Sequence, residues 1–120
     1  MQFQLNNYAA LKEAIREICD VLASVGAHED CVFNSRLAIN ELVGNVLRHT
    51  GGTASLKGEI TDDYVEWRVC SETPFYPPKN SPCVDVYAEH GRGLYLVDSL
   101  CGERTVTQDG VICVRIKIKK

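Results

Sequence analysis

Hydrophobic and polar positions change period several times along the chain, and each change marks an element. Phe3 and Leu5 alternate with Gln2, Gln4 and Asn6, the two-residue period of a short strand. Asn7 follows, a residue type that caps helices through its side-chain oxygen. Leu11, Ile15, Ile18, Cys19 and Leu22 then recur at helical spacing, predicting an amphipathic helix with one buried face. Gly26 is placed to end it, because glycine takes the left-handed conformation common at helix C-termini. A second helix is predicted from about Glu29 to Arg48, with an apolar stripe of Ile39, Leu42, Val43, Val46 and Leu47 and a stop at Gly51-Gly52.

Beyond the glycines the period returns to two. Ala54, Leu56 and Ile60 face one way, and Ser55, Lys57 and Glu59 face the other. Val65, Trp67 and Val69 alternate with Glu66 and Arg68, and Thr61-Asp62-Asp63 supplies a turn between the two runs, so residues 54–69 predict a hairpin. Residues 71–90 contain all four prolines, at 74, 77, 78 and 82, and are expected to be a loop long enough to suggest function. Leu94, Leu96, Val97 and Leu100 predict a short helix from about Gly93 to Cys101. A closing hairpin turns at Asp109-Gly110. Its last strand sends Ile112, Val114, Ile116 and Ile118 inward and Cys113, Arg115, Lys117 and Lys119 outward. Strands grouped in hairpins with amphipathic helices between them predict an α+β fold. The expected form is a two-layer α/β sandwich: a mixed, mainly antiparallel sheet with three helices on one face.

A length of 120 residues fits one domain spanning the whole chain, 1–120. The net charge of -3 gives no broad basic footprint for nucleic acid. No apolar run approaches the roughly 20 residues of a membrane span. The first residues lack the basic start and apolar core of a signal peptide, so a cytoplasmic location is expected. Six cysteines, at 19, 31, 70, 83, 101 and 113, show neither close pairing nor zinc-like spacing, and free thiols are expected.

Two stretches carry candidate chemistry. On the second helix, at about 100° per residue, Glu41, Asn45 and Arg48 share a narrow sector with His49 at its edge. Carboxylate and amide oxygens are hard donors suited to Mg²⁺, and a carboxylate can deprotonate an attacking hydroxyl. The plain alternative is that these residues form the wet side of an amphipathic helix. The second stretch is Glu89-His90-Gly91-Arg92-Gly93-Leu94. Here two glycines allow close backbone approach, and a helix start offers free N–H groups to phosphate. Its plain alternative is a glycine-rich helix cap.

Taken together, Glu-Leu-Val-Gly-Asn-Val-Leu-Arg-His at 41–49 and Gly-Arg-Gly-Leu-Tyr-Leu-Val at 91–97 resemble the histidine-kinase-like ATPase superfamily. Within it, the chain looks most like the small bacterial anti-sigma-factor serine kinases. The order of elements matches along nearly the whole chain and implies the Bergerat-type ATPase fold. The resemblance implies Glu41 as catalytic base and Asn45 as Mg²⁺ ligand, with Arg48 and His49 as the basic pair ending the first motif. It makes Gly91, Arg92, Gly93 and Leu94 the phosphate-holding glycine box, and it implies ATP and Mg²⁺ as cofactors. The implied partner is a small regulatory protein of the anti-anti-sigma type, or a sigma factor. A homodimer is also implied.

One segment departs from the family pattern. Members of the family carry Asp-x-Gly after the second hairpin strand: the Asp hydrogen-bonds the adenine amino group and the Gly leaves room for the ring. This chain has Val69-Cys70-Ser71-Glu72-Thr73-Pro74 there, so Ser71 replaces the Asp and Thr73 the Gly. Ser71 still accepts a hydrogen bond but has no charge, and Thr73 adds a branched side chain. Loss of a charge-assisted hydrogen bond costs about 1.5–3 kcal/mol, roughly 10- to 100-fold in affinity. Two functions are therefore expected as alternatives. One is an ATP-dependent protein-serine kinase. The other is a non-catalytic module of the same fold, with a degraded adenine pocket, that regulates its partner by association.

Overall fold

The structure, a computed structural model, describes residues 1–50, 52–71, 97, 104–107 and 110–119. Its elements are β1 (Gln2–Leu5), α1 (Tyr8–Ser24), α2 (Glu29–Thr50), β2 (Ala54–Ile60), β3 (Tyr64–Ser71), β4 (Arg104–Val106) and β5 (Ile112–Lys117). The strands form one sheet in the order β1-β2-β3-β5-β4. Every pairing is antiparallel, so the sheet is less mixed than expected among the described residues. The α+β sandwich and both hairpins are as predicted. The expected loop over 71–90 lies outside the described residues beyond Ser71. So does the expected helix from Gly93 to Cys101, apart from Val97, which is helical and fully buried.

Local chemistry sets the helix boundaries. Asn7 is extended, at φ -158 and ψ 170, and its Oδ1 accepts the Ala10 N–H at 2.8 Å, which satisfies one of the free donors of the first turn. Past the end of α1, Gly26 lies at φ 77, where its N–H meets the Ala23 carbonyl at 3.1 Å and the Ala27 N–H meets that of Leu22 at 3.0 Å. Positive φ is the conformation that only glycine adopts without strain. The start of α2 uses a cap the sequence pattern did not single out: His28 Nδ1 accepts the Asp30 N–H at 3.1 Å. The backbone N–H of His28 also donates to the Ile118 carbonyl at 2.8 Å, tying the start of α2 to the end of the last strand. Glu29 and Asp30 in the first turn and Arg48 and His49 in the last suit the helix dipole.

The core lies between the helices and one face of the sheet. From α1 come Leu11, Ala14, Ile18 and Leu22, and from α2 Ile39, Leu42, Val43 and Val46. The sheet contributes Leu56, Val65, Trp67, Val69, Ile112, Val114 and Ile116. Trp67 is the largest fully buried side chain. Its cross-strand partner is Gly58, and a Cβ built on Gly58 would stand 2.8 Å from Trp67 Cε3 and overlap the adjoining ring carbon. The indole therefore lies in the space that a side chain at 58 would occupy. Its Nε1–H donates to the Ser35 hydroxyl of α2 at 3.0 Å, so the polar end of a buried indole is satisfied.

The opposite face of the sheet is polar, and Glu66 lies at its centre. Its carboxylate is 3.2 Å from Arg68 Nη2 and 3.5 Å from Arg115 Nε, and these long side chains leave its own side chain only 11% exposed. Arg115 also lies 4.9 Å above the Tyr64 ring. Among the described residues Cys19, Cys31, Cys70 and Cys113 are free thiols, as expected. Cys83 and Cys101 lie outside the described residues.

Two predictions come from this packing. Gly58→Ala forces the Trp67 ring to move and should lower the unfolding free energy by about 1–3 kcal/mol. Ser35→Ala leaves the indole N–H buried and unpaired and should cost a similar amount, about 1–3 kcal/mol. Urea denaturation followed by Trp67 fluorescence measures both, and unchanged midpoints would remove this contact from the list of structural determinants. The third prediction concerns Cys31. Burial pushes its thiol above the ordinary cysteine value of 9.0, opposed by a hydrogen bond with Ser35. The folded protein therefore keeps a proton that the unfolded chain loses near 9.0, so stability should fall as pH rises through that range. Equilibrium unfolding between about pH 7 and 10, compared with Cys31→Ala, isolates this contribution.

Candidate functional site

The site begins with the direction of α2. The helix ends at Thr50, and after a short link β2 starts at Ala54, which is paired with Ser71 at the far end of β3. The C-terminal end of α2 therefore lies at the same end of the sheet as Ser71. The Trp67–Ser35 bond fixes a common origin for the two elements. From Ser35, α2 runs about 15 Å to Asn45 at ~1.5 Å per residue. From Trp67, β3 runs about 13 Å to Ser71 at ~3.3 Å per residue. One helix and one strand thus bring their candidate residues to one end of the molecule.

Of the candidates on α2, Asn45 lies deepest. It is 4% exposed, with buried neighbours Gly44 and Val46 on either side, so it is not on the wet side of the helix. Its Oδ1 accepts a hydrogen bond from Arg48 Nη2. An amide carbonyl has two lone pairs, so one acceptor direction remains beyond the guanidinium. Glu41, one turn earlier, is half-buried, whereas Arg48 and His49 are exposed. The depth of Asn45 has a simple cause: the buried arc of α2 also includes Cys31 and Ala38, small residues that extend it towards Asn45.

Ser71 is the last residue of β3, on the helix-covered face opposite the fully buried Ala54. Its Oγ is buried, and among the described residues it has no hydrogen-bond partner. A buried hydroxyl left unpaired is costly and calls for a donor or acceptor that the described residues do not supply. Thr73, Gly91, Arg92, Gly93 and Leu94 lie outside the described residues.

A histidine kinase-like ATPase domain model matches residues 5–118. The chain belongs to this family. The match covers α1, α2 and all of β2 to β5. The sequence is also similar to Serine-protein kinase RsbW of Staphylococcus epidermidis, including its forms in two strains. Each is 30% identical over 118 residues, covering 83% of this chain and 74% of the relative. In this histidine kinase-like ATPase domain, the first motif of the resemblance spans 41–49 on α2, and the first departure from the pattern falls at the end of β3. No helix among the described residues is long and apolar enough to cross a membrane.

Proposed function

We propose that this domain binds ATP with Mg²⁺ and acts as a protein-serine kinase on a small regulatory protein of the anti-anti-sigma type, with a sigma factor as the alternative binding partner. The observation that supports this most is Asn45: a buried amide whose oxygen is already turned towards a cation, on the helix that the family uses for its first motif. Burying an amide costs free energy unless it is hydrogen-bonded, and on the wet side of a helix no such arrangement is needed. The residues present fit the cofactors in two respects. Asn45 Oδ1 keeps an acceptor direction for a hard cation, and the Ser71 hydroxyl lacks a partner that a purine base can supply.

In this reading bound ATP would supply the phosphoryl group, with ADP as the leaving group, and Mg²⁺ would neutralise phosphate charge. Asn45 would hold the metal through Oδ1. Glu41, half-buried one helical turn away, takes the proton from the serine hydroxyl of the partner as that oxygen becomes the nucleophile. Arg48 supplies positive charge and His49 a hydrogen-bonding ring near the phosphates, and Ser71 and Thr73 border the base. Gly91, Arg92, Gly93 and Leu94 are assigned to phosphate contact by the resemblance. A cytoplasmic, homodimeric protein fits the same reading.

A second function is favoured by Ser71 itself. With Ser71 and Thr73 in place of Asp and Gly, the domain regulates its partner by association alone, without phosphorylating it. Calorimetric titration with ATP·Mg²⁺ separates the two. The kinase should bind at micromolar to sub-millimolar strength, and Asn45→Ala should weaken this by roughly 10-fold or more. Glu41→Ala should retain nucleotide binding and lose phosphotransfer to a partner by about 10²-fold or more. Absence of heat up to millimolar ATP leaves the association module. Normal turnover by Glu41→Ala removes Glu41 from the catalytic role.

A further inference from the structure

The Ser71 hydroxyl differs from a carboxylate in more than charge. An ionised carboxylate only accepts hydrogen bonds, whereas a hydroxyl both donates and accepts, and its hydrogen rotates to suit its partner. The structure gives this hydroxyl no competing partner among the described residues, so neither its donor nor its acceptor function is already committed there. Its cross-strand neighbour on the same face is Ala54, whose methyl group offers no polar atom that would orient the hydroxyl. Resting on the nucleotide-binding reading above, we infer that Ser71 makes the base site tolerant at purine position 6, accepting 6-oxopurine nucleotides as well as 6-aminopurine ones.

The chemistry follows from complementarity. Towards adenine, Ser71 Oγ accepts a hydrogen bond from the exocyclic N6 amino group. Towards a 6-oxopurine, the same hydroxyl turns and donates to O6. A carboxylate at this position sets acceptor against acceptor at O6 and leaves a buried charge unpaired. That is the kind of mismatch by which polar sites reject analogues most strongly. Replacing the carboxylate by a hydroxyl therefore lowers the penalty on the oxo base and, with it, the preference for the amino base.

Inosine triphosphate is the discriminating probe, because it replaces the 6-amino group of ATP by a 6-oxo group and adds no 2-amino group. Calorimetric titration of the full chain with ATP·Mg²⁺ and ITP·Mg²⁺ should give dissociation constants within about 30-fold of each other. Ser71→Asp should widen the ratio in favour of ATP beyond about 30-fold, whereas Ser71→Ala should weaken both nucleotides by similar factors. A wild-type ratio above about 30-fold overturns the inference, as does a folded, ATP-binding Ser71→Asp variant with an unchanged ratio. If Ser71→Asp fails to fold, the wild-type ratio decides alone. Binding of ATP without ITP overturns this inference and leaves the nucleotide site standing. Binding of neither at millimolar concentration overturns both.

Discussion

The arrangement depends on one buried contact, Trp67 between Gly58 and Ser35. The indole needs the space left by a missing side chain on β2, and its N–H needs an acceptor on α2. Both requirements are met by a single placement of the helix over the sheet, because a dry, close-packed interior does not accommodate intermediate positions. The burial of apolar side chains from both helices and the sheet, among them Leu42, Val43, Val46, Val65, Val69 and Val114, supplies most of the driving force. The tryptophan contact selects which of the apolar packings is adopted. Because α2 and β3 run to the same end of the sheet, the selection at Trp67 carries through to Asn45 and Ser71.

That end of the molecule combines three polar features of different kinds. Asn45 is buried and hydrogen-bonded. Glu41 is half-buried on the same helix. The Ser71 hydroxyl is buried and unpaired among the described residues. Two other buried polar side chains are satisfied in obvious ways: Ser35 by the indole, and Glu66 by two arginines. A core that satisfies its polar groups in those places and leaves a hydroxyl uncommitted at the end of its central strand is consistent with a ligand site there.

Much of the fold was legible in the sequence, because strand and helix periods are local properties. The Asn7 cap, the Gly26 stop, the 54–69 hairpin and the alternation of the last strand are each fixed by neighbouring residues. Strand order was not legible, since it depends on β3 pairing with β5 rather than β4, a contact between segments far apart in sequence. The depth of Asn45 was missed because the apolar stripe was drawn from large residues alone. Cys31 and Ala38 are small residues left out of that stripe, and they widen the buried arc towards Asn45. The His28 cap was missed because histidine is not a usual capping residue. Glu66 reads as an outward polar residue, and its burial comes from arginines on its own strand and the next. At the site, the motif on α2 and the Ser71 departure were visible as residue types, but the unpartnered state of the Ser71 hydroxyl is a property of packing.

The position of β3 has a dynamic consequence. It is hydrogen-bonded to β2 on one side and β5 on the other, with helices over one face, so amides along its middle exchange with solvent only when the whole domain opens. The pairing with β5 stops at Val69 opposite Ile112, while the pairing with β2 continues to Ala54 opposite Ser71. Ser71 therefore occupies the last half-supported rung of the most protected strand. A molecule held by its hydroxyl would extend that protection by one rung. Occupancy of the proposed site would thus be recorded as slower amide exchange at a strand end.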